Sequence, residues 1–340
     1  MENLSPQRIM ETGMAFWPAK TLLTAIKLGL FAELGAGKQT GKELQSTLGL
    51  HDRANPDFFD TLVALKFLER EGDGESAKYS NTPETAVFLD RNSPAFIGGF
   101  LEMAHDRLYP FWGDLHEGLR TGKAQNETKH GGTGVFEELY SKPERLEQFM
   151  DAMAGISYGN FATFAEKFDF SNYKTMVDVG GATGLLSTLV VKANPHMTAT
   201  TADLPGATEI AKRKIEAAGV ADSVSAGNID FFKDPIPSAD VVTMGMILHD
   251  WNLKNKMMLI QKAYDALPEG GAFVAIENII DDARRENAFG LMMSLNMLIE
   301  FGEAFDFTHA DFDKWCREVG FTRTECIHLA GPASAVIAYK

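Results

Sequence analysis

The amino-acid sequence predicts an α/β protein, with a doubly wound, mostly parallel seven-stranded sheet that follows a mainly helical N-terminal domain. From about residue 170 onward, short apolar segments alternate with amphipathic helical segments, as in parallel sheets that helices cover on both faces. The last two apolar segments, 321–329 and 333–340, have no helical pattern between them. They are therefore expected to close the sheet as an antiparallel pair.

Residues 1–165 are predicted to form the N-terminal domain, and its first half has a winged-helix pattern. Residues 15–34 carry apolar side chains at helical spacing. Thr40, with Glu43 three residues later, is the signature of a capped helix start. One more helical segment follows over residues 54–71. Two short extended segments lie around residues 67–70, at the end of that segment, and 77–81.

Two further helical segments, 96–122 and 134–165, are rich in Phe, Met, Leu and Trp on more than one face. Helices that are apolar all round must be buried by something, and in a domain of this size a partner subunit is the expected cover. The sequence thus predicts a homodimer through the N-terminal domain. Phe16 and Trp17 are expected either in the dimer core or over the pocket of the partner subunit.

Residues 166–340 carry the alternating pattern and are predicted to form the second domain. Its predicted strands cover residues 175–180, 196–203, 223–227, 239–247, 270–280, 321–329 and 333–340. Its predicted helices cover residues 184–194, 206–218, 252–267, 285–302 and 309–319. Sheets of this kind bind ligands at the carboxyl ends of their strands, beside the point where the strand order reverses.

Composition and charge argue against several classes of protein. Hydrophobic residues make up 45% of the 340 residues and charged residues 23%, as in folded soluble proteins. The formal net charge of −15 repels phosphate backbones, so a small molecule is a better predicted partner than nucleic acid.

No apolar run is long enough to span a bilayer, and the first residues lack the order of a signal peptide. Two cysteines without metal-ligand spacing predict a cytoplasmic protein with no metal site.

A glycine-rich turn stands where the first strand of the second domain passes into its first helix. Residues 177–184 read VDVGGATG, and glycines let the backbone bend tightly and approach a ligand. The helix that follows offers unpaired N–H groups to that ligand. Asp203 ends the next strand, where a carboxylate can accept hydrogen bonds from ribose hydroxyls. The spacing is not that of dinucleotide binders, so the pattern predicts a site for another nucleoside-type cofactor.

Four segments in order strengthen this prediction: VDVGGATG, TADLPGA, DFFKDPIPSADVVTMGMILHDW and ALPEGGAFVAIENII. Together they resemble the S-adenosylmethionine-dependent O-methyltransferases of the plant caffeate and bacterial antibiotic-tailoring type, and the resemblance covers most of the chain. It implies a Rossmann-like domain that binds S-adenosyl-L-methionine. It also implies that the N-terminal winged-helix-like region is a dimerisation domain.

The resemblance also implies positions for the cofactor. Gly180 and Gly181 would line its methionine part, and Asp203 would hold the ribose, whereas Asp230 and Phe231 would contact the adenine. Asp178 and Leu204 belong to the same segments and complete the predicted cofactor site. The chain departs from the family twice. Asn228 is an alternative to Asp230 at the adenine, and Gly245 stands where plant members often carry a lysine.

His249 follows the apolar run of the fourth strand, at the ligand-binding edge of the sheet. A phenol is a better nucleophile once it is deprotonated, and a histidine can take that proton. In the family the matching histidine is the general base, so the resemblance implies this role for His249. Glu277 matches the acidic residue that orients it. Asp306 stands where a second acidic partner would fall, although the family usually has Glu-Arg-Thr there. Asp250 is either the N-cap of the next helix or a neighbour of the cofactor.

The acceptor pocket is predicted from side chains on two helices. Methionines shape adaptable apolar pockets, although at helical spacing they are more often plain core. The resemblance favours Asn296 and Met297 as pocket residues, and Met293 lies on the same segment. Phe149 and Met153, on the last helix of the N-terminal domain, match substrate positions of the family more loosely.

The predicted activity is methyl transfer from S-adenosylmethionine to a small-molecule acceptor, with a hydroxyl oxygen as the acceptor atom. One alternative is S-methylation of a thioether acid such as 4-methylthio-2-hydroxybutyrate, on the route to dimethylsulfoniopropionate. A second alternative, of another class, is a ligand-sensing winged-helix DNA-binding regulator, although residues 51–70 contain only three basic side chains, those of Arg53, Lys66 and Arg70. A third is a relative that binds the cofactor without turnover, against which the intact His249 and Glu277 argue.

Overall fold

The computed structural model describes residues 4–132, 140 and 143–340. The chain packs as two compact units, residues 1–110 and 111–340. The domain boundary predicted at 165–166 falls near the end of a helix in the second unit, Pro143–Lys167, and remains a prediction. Part of the predicted helix 134–165 lies outside the described residues.

The first unit combines short helices with a small antiparallel sheet, in the order of a winged helix. The strands are β1 (Gln39–Thr40), β2 (Leu68–Glu71) and β3 (Lys78–Asn81), and β3 lies between the other two. The helices are α1 (Gln7–Gly13), α2 (Phe16–Lys27), α3 (Leu30–Gly35), α4 (Gly41–Thr47), α5 (Asp57–Ala64), α6 (Pro83–Phe88) and α7 (Gly98–Met103). The predicted β-ribbon is thus confirmed.

Local sequence chemistry explains where several of these helices begin and end. The capping box is confirmed, because Glu43 N–H donates to Thr40 Oγ1 and the Glu43 carboxylate accepts from Thr40 N–H. The single helix predicted over 15–34 is wrong, because Gly29 adopts a left-handed φ of 74° and separates α2 from α3. The helix predicted over 96–122 is also interrupted. After α7 come a π-helical segment (Ala104–Leu108), α8 (Tyr109–Trp112) and α9 (Leu115–Thr121).

The second unit contains the predicted seven-stranded sheet. Its strands are β4 (Thr175–Val179), β5 (Thr198–Asp203), β6 (Val224–Asn228), β7 (Val241–Gly245), β8 (Ala272–Glu277), β9 (Arg323–His328) and β10 (Ser334–Tyr339). The strand order is β6-β5-β4-β7-β8-β10-β9. The strands are parallel except for β10, which pairs antiparallel with both β8 and β9. The doubly wound α/β prediction is confirmed, including its antiparallel closing pair.

Helices cover this sheet on both faces. The further helices of this unit are α10 (Pro143–Lys167), α11 (Leu185–Ala193), α12 (Pro205–Ala217), α13 (Leu253–Ala266), α14 (Ala288–Phe301) and α15 (His309–Val319). All six residues of β8 are buried, as expected for a strand with both faces covered. The strand order reverses at β4, so the carboxyl ends of β4 and β7 mark the switch point at which such sheets bind ligands.

None of the described helices is both long enough and apolar enough to cross a membrane.

Candidate active site

The glycine turn lies directly after β4, with its backbone close to two polar side chains. Gly180 has a φ of 70° and its N–H donates to the Ala202 carbonyl oxygen at 2.8 Å. A Cβ atom on Gly181 would lie 2.1 Å from Thr201 Oγ1 and 2.5 Å from an oxygen of the Asp178 carboxylate. No larger residue therefore fits at 181 without displacing its neighbours. Asp178 itself is buried and accepts a 2.8 Å hydrogen bond from Thr243 Oγ1.

Asp203 is the last residue of β5, and its carboxylate accepts hydrogen bonds from the glycine turn after β4 and from the residue that follows β5. One oxygen accepts the Ala182 N–H at 3.0 Å, from inside the glycine turn. The other accepts the N–H of Leu204 at 2.7 Å and the Tyr140 hydroxyl at 3.0 Å. Leu204 is the N-cap residue of α12 and is partly exposed. Tyr140 is a contact that the sequence did not suggest, because no pattern links it to a site 63 residues away.

Aromatic side chains lie beyond the carboxyl end of β6. The Phe231 and Phe232 ring centroids are 4.9 Å apart, and Phe232 meets Trp251 edge-on at 4.6 Å. Asp230 precedes them and forms a 2.7 Å ion pair with Lys233. Asn228, the alternative to Asp230, ends β6 and is exposed. Phe231 is the predicted adenine contact, and Phe232 and Trp251 pack beside it.

His249 lies in a short 3₁₀ helix, Leu248–Asp250, just after β7, and its imidazole is buried. Its Nδ1 is 3.3 Å from Asp306 Oδ1 and 3.8 Å from Glu277 Oε2. Its Nε2 is 3.3 Å from Asp250 Oδ1. The structure therefore brings the three predicted residues His249, Glu277 and Asp306 together, and it adds Asp250 as a fourth.

Glu277 and Asp306 have different positions around this imidazole. Glu277 Oε1 is within 3.4 Å of the backbone N–H groups of Ile247, Leu248 and His249, which donate to it. Glu277 therefore fixes the backbone that carries His249, whereas the Asp306 carboxylate is the nearer acid to the ring. Asp306 is held by its own N–H, which donates to Ser294 Oγ at 3.2 Å.

Electrostatics in this cluster favour a charged imidazole. Burial lowers the pKa of His249, but the attraction of the Glu277, Asp250 and Asp306 carboxylates outweighs burial and raises that pKa to about 10. Burial also raises the pKa of Asp250 to about 6 and the pKa of Glu277 to about 7. The groups titrate as a coupled set, in which a proton gained by the imidazole is strongly stabilised.

One of the two interpretations of Asp250 is wrong. The N-cap of α13 is Asn252, whose Oδ1 accepts the Asn255 N–H at 3.1 Å. Asp250 is two residues too early for this, because the 3₁₀ helix that carries His249 occupies residues 248–250. Its carboxylate instead lies beside the His249 ring.

Helix α14 packs against the 3₁₀ helix that carries His249. It carries the predicted pocket residues Met293, Asn296 and Met297, of which Met297 is buried and the other two are half-buried. Asn296 Oδ1 accepts the Trp112 indole N–H at 2.9 Å, a contact that sequence spacing did not indicate. Because an indole only donates, this bond orients the Asn296 amide with its NH₂ group away from Trp112.

The other two predicted pocket residues lie on α10. Phe149 and Met153 are both half-buried there, and α10 packs against α11 and α12. Their predicted contact with an acceptor remains a prediction.

The described residues fit an adenosyl group. A carboxylate at the end of β5 suits the ribose hydroxyls, and the Phe231–Phe232–Trp251 aromatic cluster suits a purine ring. One imidazole nitrogen and two carboxylate oxygens of His249, Glu277 and Asp306 also lie within 4.8 Å of one another. Such a set has the chemistry of a metal site. That the protein has no metal site therefore stays a prediction.

Comparison with known proteins agrees with this architecture. The model of the O-methyltransferase domain matches residues 112–322, and the model of the O-methyltransferase dimerisation domain matches residues 10–91. The tetracenomycin polyketide synthesis 8-O-methyl transferase TcmO of Streptomyces glaucescens is 36% identical over 335 residues, covering 98% of this chain and 97% of the relative.

Two further similarities extend the comparison. The 3-hydroxy-5-methyl-1-naphthoate 3-O-methyltransferase of Streptomyces sahachiroi is 30% identical over 98% of this chain and 94% of the relative. The crystal structure of human N-acetylserotonin methyltransferase with bound S-adenosylmethionine superimposes with a TM-score of 0.91 and 26% identity, covering 100% of this chain and 99% of that one. The chain therefore belongs to the S-adenosylmethionine-dependent O-methyltransferases that act on small molecules, and it carries the dimerisation domain of that family.

Proposed function

We propose that this chain methylates a phenolic hydroxyl of a fused-ring aromatic acceptor, with His249 as the general base. The observation that supports this most is the buried imidazole at the carboxyl edge of the sheet, surrounded by the Asp250, Glu277 and Asp306 carboxylates. Two relatives, a tetracenomycin 8-O-methyl transferase and a hydroxynaphthoate 3-O-methyltransferase, are named for acceptors of this shape.

In this proposal His249 accepts the hydroxyl proton and the carboxylates stabilise the imidazolium that results. S-adenosylmethionine, when bound, supplies a methyl group that is already activated by a sulfonium. Positioning therefore contributes much of the rate, and the protein assists by making the acceptor oxygen more nucleophilic. Asp306, nearest to Nδ1, stabilises the charged ring, and Glu277 holds the backbone of the 3₁₀ helix. Because a base must be deprotonated to act, the rate is expected to rise with pH as His249 loses its proton.

The cofactor side of the proposal assigns one role to each segment. Gly180 and Gly181 line the methionine part, with Asp178 beneath them. Asp203 accepts hydrogen bonds from the ribose, with Leu204 next to it. Asp230 and the aromatic cluster contact the adenine. These assignments are supported by chemical fit and by strand-end position, since Asp203 and Asn228 end neighbouring strands.

The acceptor atom separates the main proposal from the thioether alternative. A thioether has no proton to give, so a buried acid–histidine cluster adds nothing to its nucleophilicity. This favours an oxygen acceptor. Met293, Asn296 and Met297 on α14, with Phe149 and Met153 on α10, are the side chains proposed to shape the pocket.

The proposal is tested with purified protein and methyl-labelled S-adenosylmethionine. The panel contains a hydroxynaphthoate, a polycyclic phenol, 4-methylthio-2-hydroxybutyrate and an aromatic amine. We expect methyl transfer to at least one of the two phenols, with the label on oxygen by mass spectrometry and NMR. Transfer to the thioether or the amine, with none to either phenol, would contradict the proposed acceptor class.

We also propose that the chain is a homodimer through its dimerisation domain. Phe16 and Trp17 are 50% and 62% exposed, and exposed aromatic pairs of this kind are typical of interfaces. Trp17→Glu is expected to weaken dimerisation by about 30-fold or more, the effect of losing one central aromatic contact. Sedimentation velocity over a range of concentrations measures this. Leu253→Glu, at an exposed site on α13, is the control, and an unchanged dimer in Trp17→Glu contradicts the proposed interface.

The DNA-binding alternative receives little support from the first unit. Arg53 pairs with Asp57, and Arg70 pairs with Asp60 at 2.8 Å. Two of the three basic side chains in residues 51–70 are thus already neutralised by neighbouring acids. A gel shift that depends on salt would revive the alternative.

A further inference from the structure

Phe161, on α10, packs the edge of its ring against the backbone of Gly245, the last residue of β7. A Cβ atom on Gly245 would lie 2.9 Å from Cζ and 3.0 Å from Cε1 of this ring. Gly245 does not have a positive φ, so it is the ring, and not the backbone conformation, that favours glycine here. The packing accounts for one of the two departures from the family, since a longer side chain at 245 would overlap the ring.

This large–small pair lies at the switch point of the sheet. Asp178 on β4 and Thr243 on β7 are register partners that share a 2.8 Å hydrogen bond, and Gly180 and Gly245 each follow two residues later. A Cβ atom on Gly180 would lie only 2.4 Å from Cδ1 of Ile247. The glycine turn after β4 therefore touches the segment after β7, and the aromatic ring against Gly245 shares this edge of the sheet with the turn.

The edge is open at this point, although its surroundings are closed. Residues 241–244 and 248–249 are buried, whereas residues 245–247 between them are partly exposed. Phe161 is partly exposed as well, although Phe164, one helical turn later, is fully buried. Part of the Phe161 ring packs on the core of the sheet. The rest of the ring is therefore available to a ligand at the carboxyl edge.

The chemistry of an aromatic face suits one part of the cofactor in particular. A cation within about 6 Å of a ring centroid is attracted by the negative charge on the face of the ring. S-adenosylmethionine carries a positive charge on sulfur, and its product S-adenosylhomocysteine does not. An aliphatic side chain at 161 would fill the same space without favouring the charged form. A phenylalanine at this edge can therefore distinguish the donor from the product by charge.

We propose that Phe161 contacts the sulfonium of S-adenosylmethionine through the face of its ring, and that the lack of a side chain at Gly245 allows the ring to take this position. The inference deepens the proposed cofactor site and rests on the glycine turn holding the methionine part. Phe161 then binds the charged donor more tightly than the neutral product. This preference favours replacement of the product by a new donor molecule and limits product inhibition.

Calorimetric titration of Phe161→Leu with three ligands tests the charge preference. S-adenosylmethionine and sinefungin, whose protonated amine stands in place of the methyl sulfonium, carry a positive charge at this position, and S-adenosylhomocysteine is neutral there. We expect the Kd of both cationic ligands to rise by about 3- to 30-fold, and that of S-adenosylhomocysteine to stay within about twofold. Phe88→Leu, at an exposed site on α6, should leave all three unchanged. An equal loss for the three ligands, or no loss, overturns the sulfonium contact.

Fluorination of the ring separates its charge distribution from its shape. Phenylalanine analogues with one, two and three ring fluorines are introduced at 161 by amber suppression, which weakens the attraction of the face for a cation and nearly keeps the size of the side chain. The ratio of the Kd of S-adenosylmethionine to that of S-adenosylhomocysteine should rise with each fluorine. A constant ratio across the series contradicts the proposal. This series also decides the question if Phe161→Leu does not fold.

Gly245→Ala tests the pairing of the two residues. The ring atoms nearest to the added methyl group are at the far end of the Phe161 side chain, so the ring can swing aside and the variant should fold. We expect Gly245→Ala to raise the Kd of S-adenosylmethionine by a factor similar to that of Phe161→Leu. Adding Gly245→Ala to Phe161→Leu should then change little. Equal effects of Gly245→Ala in both backgrounds contradict the pairing.

A further variant keeps this inference separate from the proposed cofactor site. All three ligands contain the same ribose, so Asp203→Asn should weaken them by a common factor. If Asp203→Asn binds all three as wild type does, the proposed cofactor site is wrong. If it weakens them while Phe161→Leu leaves the ratio between donor and product unchanged, the cofactor site stands and the role of Phe161 is wrong. None of these titrations needs an acceptor, so they do not depend on His249 as the base.

Discussion

Replacing His249 with glutamine is expected to lower kcat for O-methylation by about 10²- to 10⁴-fold, the usual contribution of a general base. Glutamine keeps a side chain of similar length but cannot accept and carry a proton. The change is measured in single-turnover experiments with saturating S-adenosylmethionine, so that product release does not mask the chemical step. The Kd for the cofactor should stay within a few-fold of wild type, because the cofactor contacts proposed above do not include His249.

Two controls make this result specific. Assays in the presence of a chelator distinguish a base from a metal ligand, since His249, Glu277 and Asp306 also form a set that could hold a metal ion. Activity that is lost with the chelator and restored by a divalent ion would replace the base with a metal site. The second control compares acceptor phenols that differ in pKa. If His249 takes the proton, acidic phenols that ionise without help should lose less rate in His249→Gln than weakly acidic phenols do.

The sheet and its site-bearing ends could be predicted because each step rests on a local pattern. The strand VDV before the glycines, the carboxylate at the end of TTAD and the histidine after MGMIL each mark the carboxyl end of a strand. Parallel topology then gathers these ends at one edge. His249 follows β7 in a short 3₁₀ helix and Glu277 ends β8, and because these two strands are parallel neighbours, the meeting of the two side chains follows from strand order. Asp306 is harder to predict, because it reaches the cluster from a segment outside the strands of the sheet, which an isolated bridge between Ile280 and Thr308 holds in place.

The remaining site contacts join residues that are far apart in the sequence, so a local sequence pattern does not predict them. Trp112 reaches Asn296 across 184 residues, and Tyr140 reaches Asp203 across 63.

Changing Asp203 to asparagine is expected to raise the Kd for S-adenosylmethionine by about 100-fold. Both carboxylate oxygens already accept backbone N–H groups, from Ala182 and Leu204. An amide offers one oxygen and one NH₂ group, so one of these N–H groups then meets a donor. Any ribose hydroxyl that donates to the carboxylate also loses a charged acceptor, which contributes roughly 1.5–3 kcal/mol. Calorimetric titration measures the change, and Glu209→Gln, an exposed acid on α12 paired with Lys212, serves as the matched control.

A weaker Kd alone does not separate recognition of the ribose from support of the glycine turn. Binding of S-adenosylhomocysteine and of its 2′-deoxy and 3′-deoxy analogues to both proteins makes that separation. If Asp203 accepts from a ribose hydroxyl, removing that hydroxyl weakens binding to wild type by about tenfold or more, yet changes binding to Asp203→Asn far less. If Asp203 only supports the turn through Ala182 and Leu204, each analogue loses the same factor in both proteins. The proposed ribose contact is then wrong, although Asp203 would remain essential for the shape of the site.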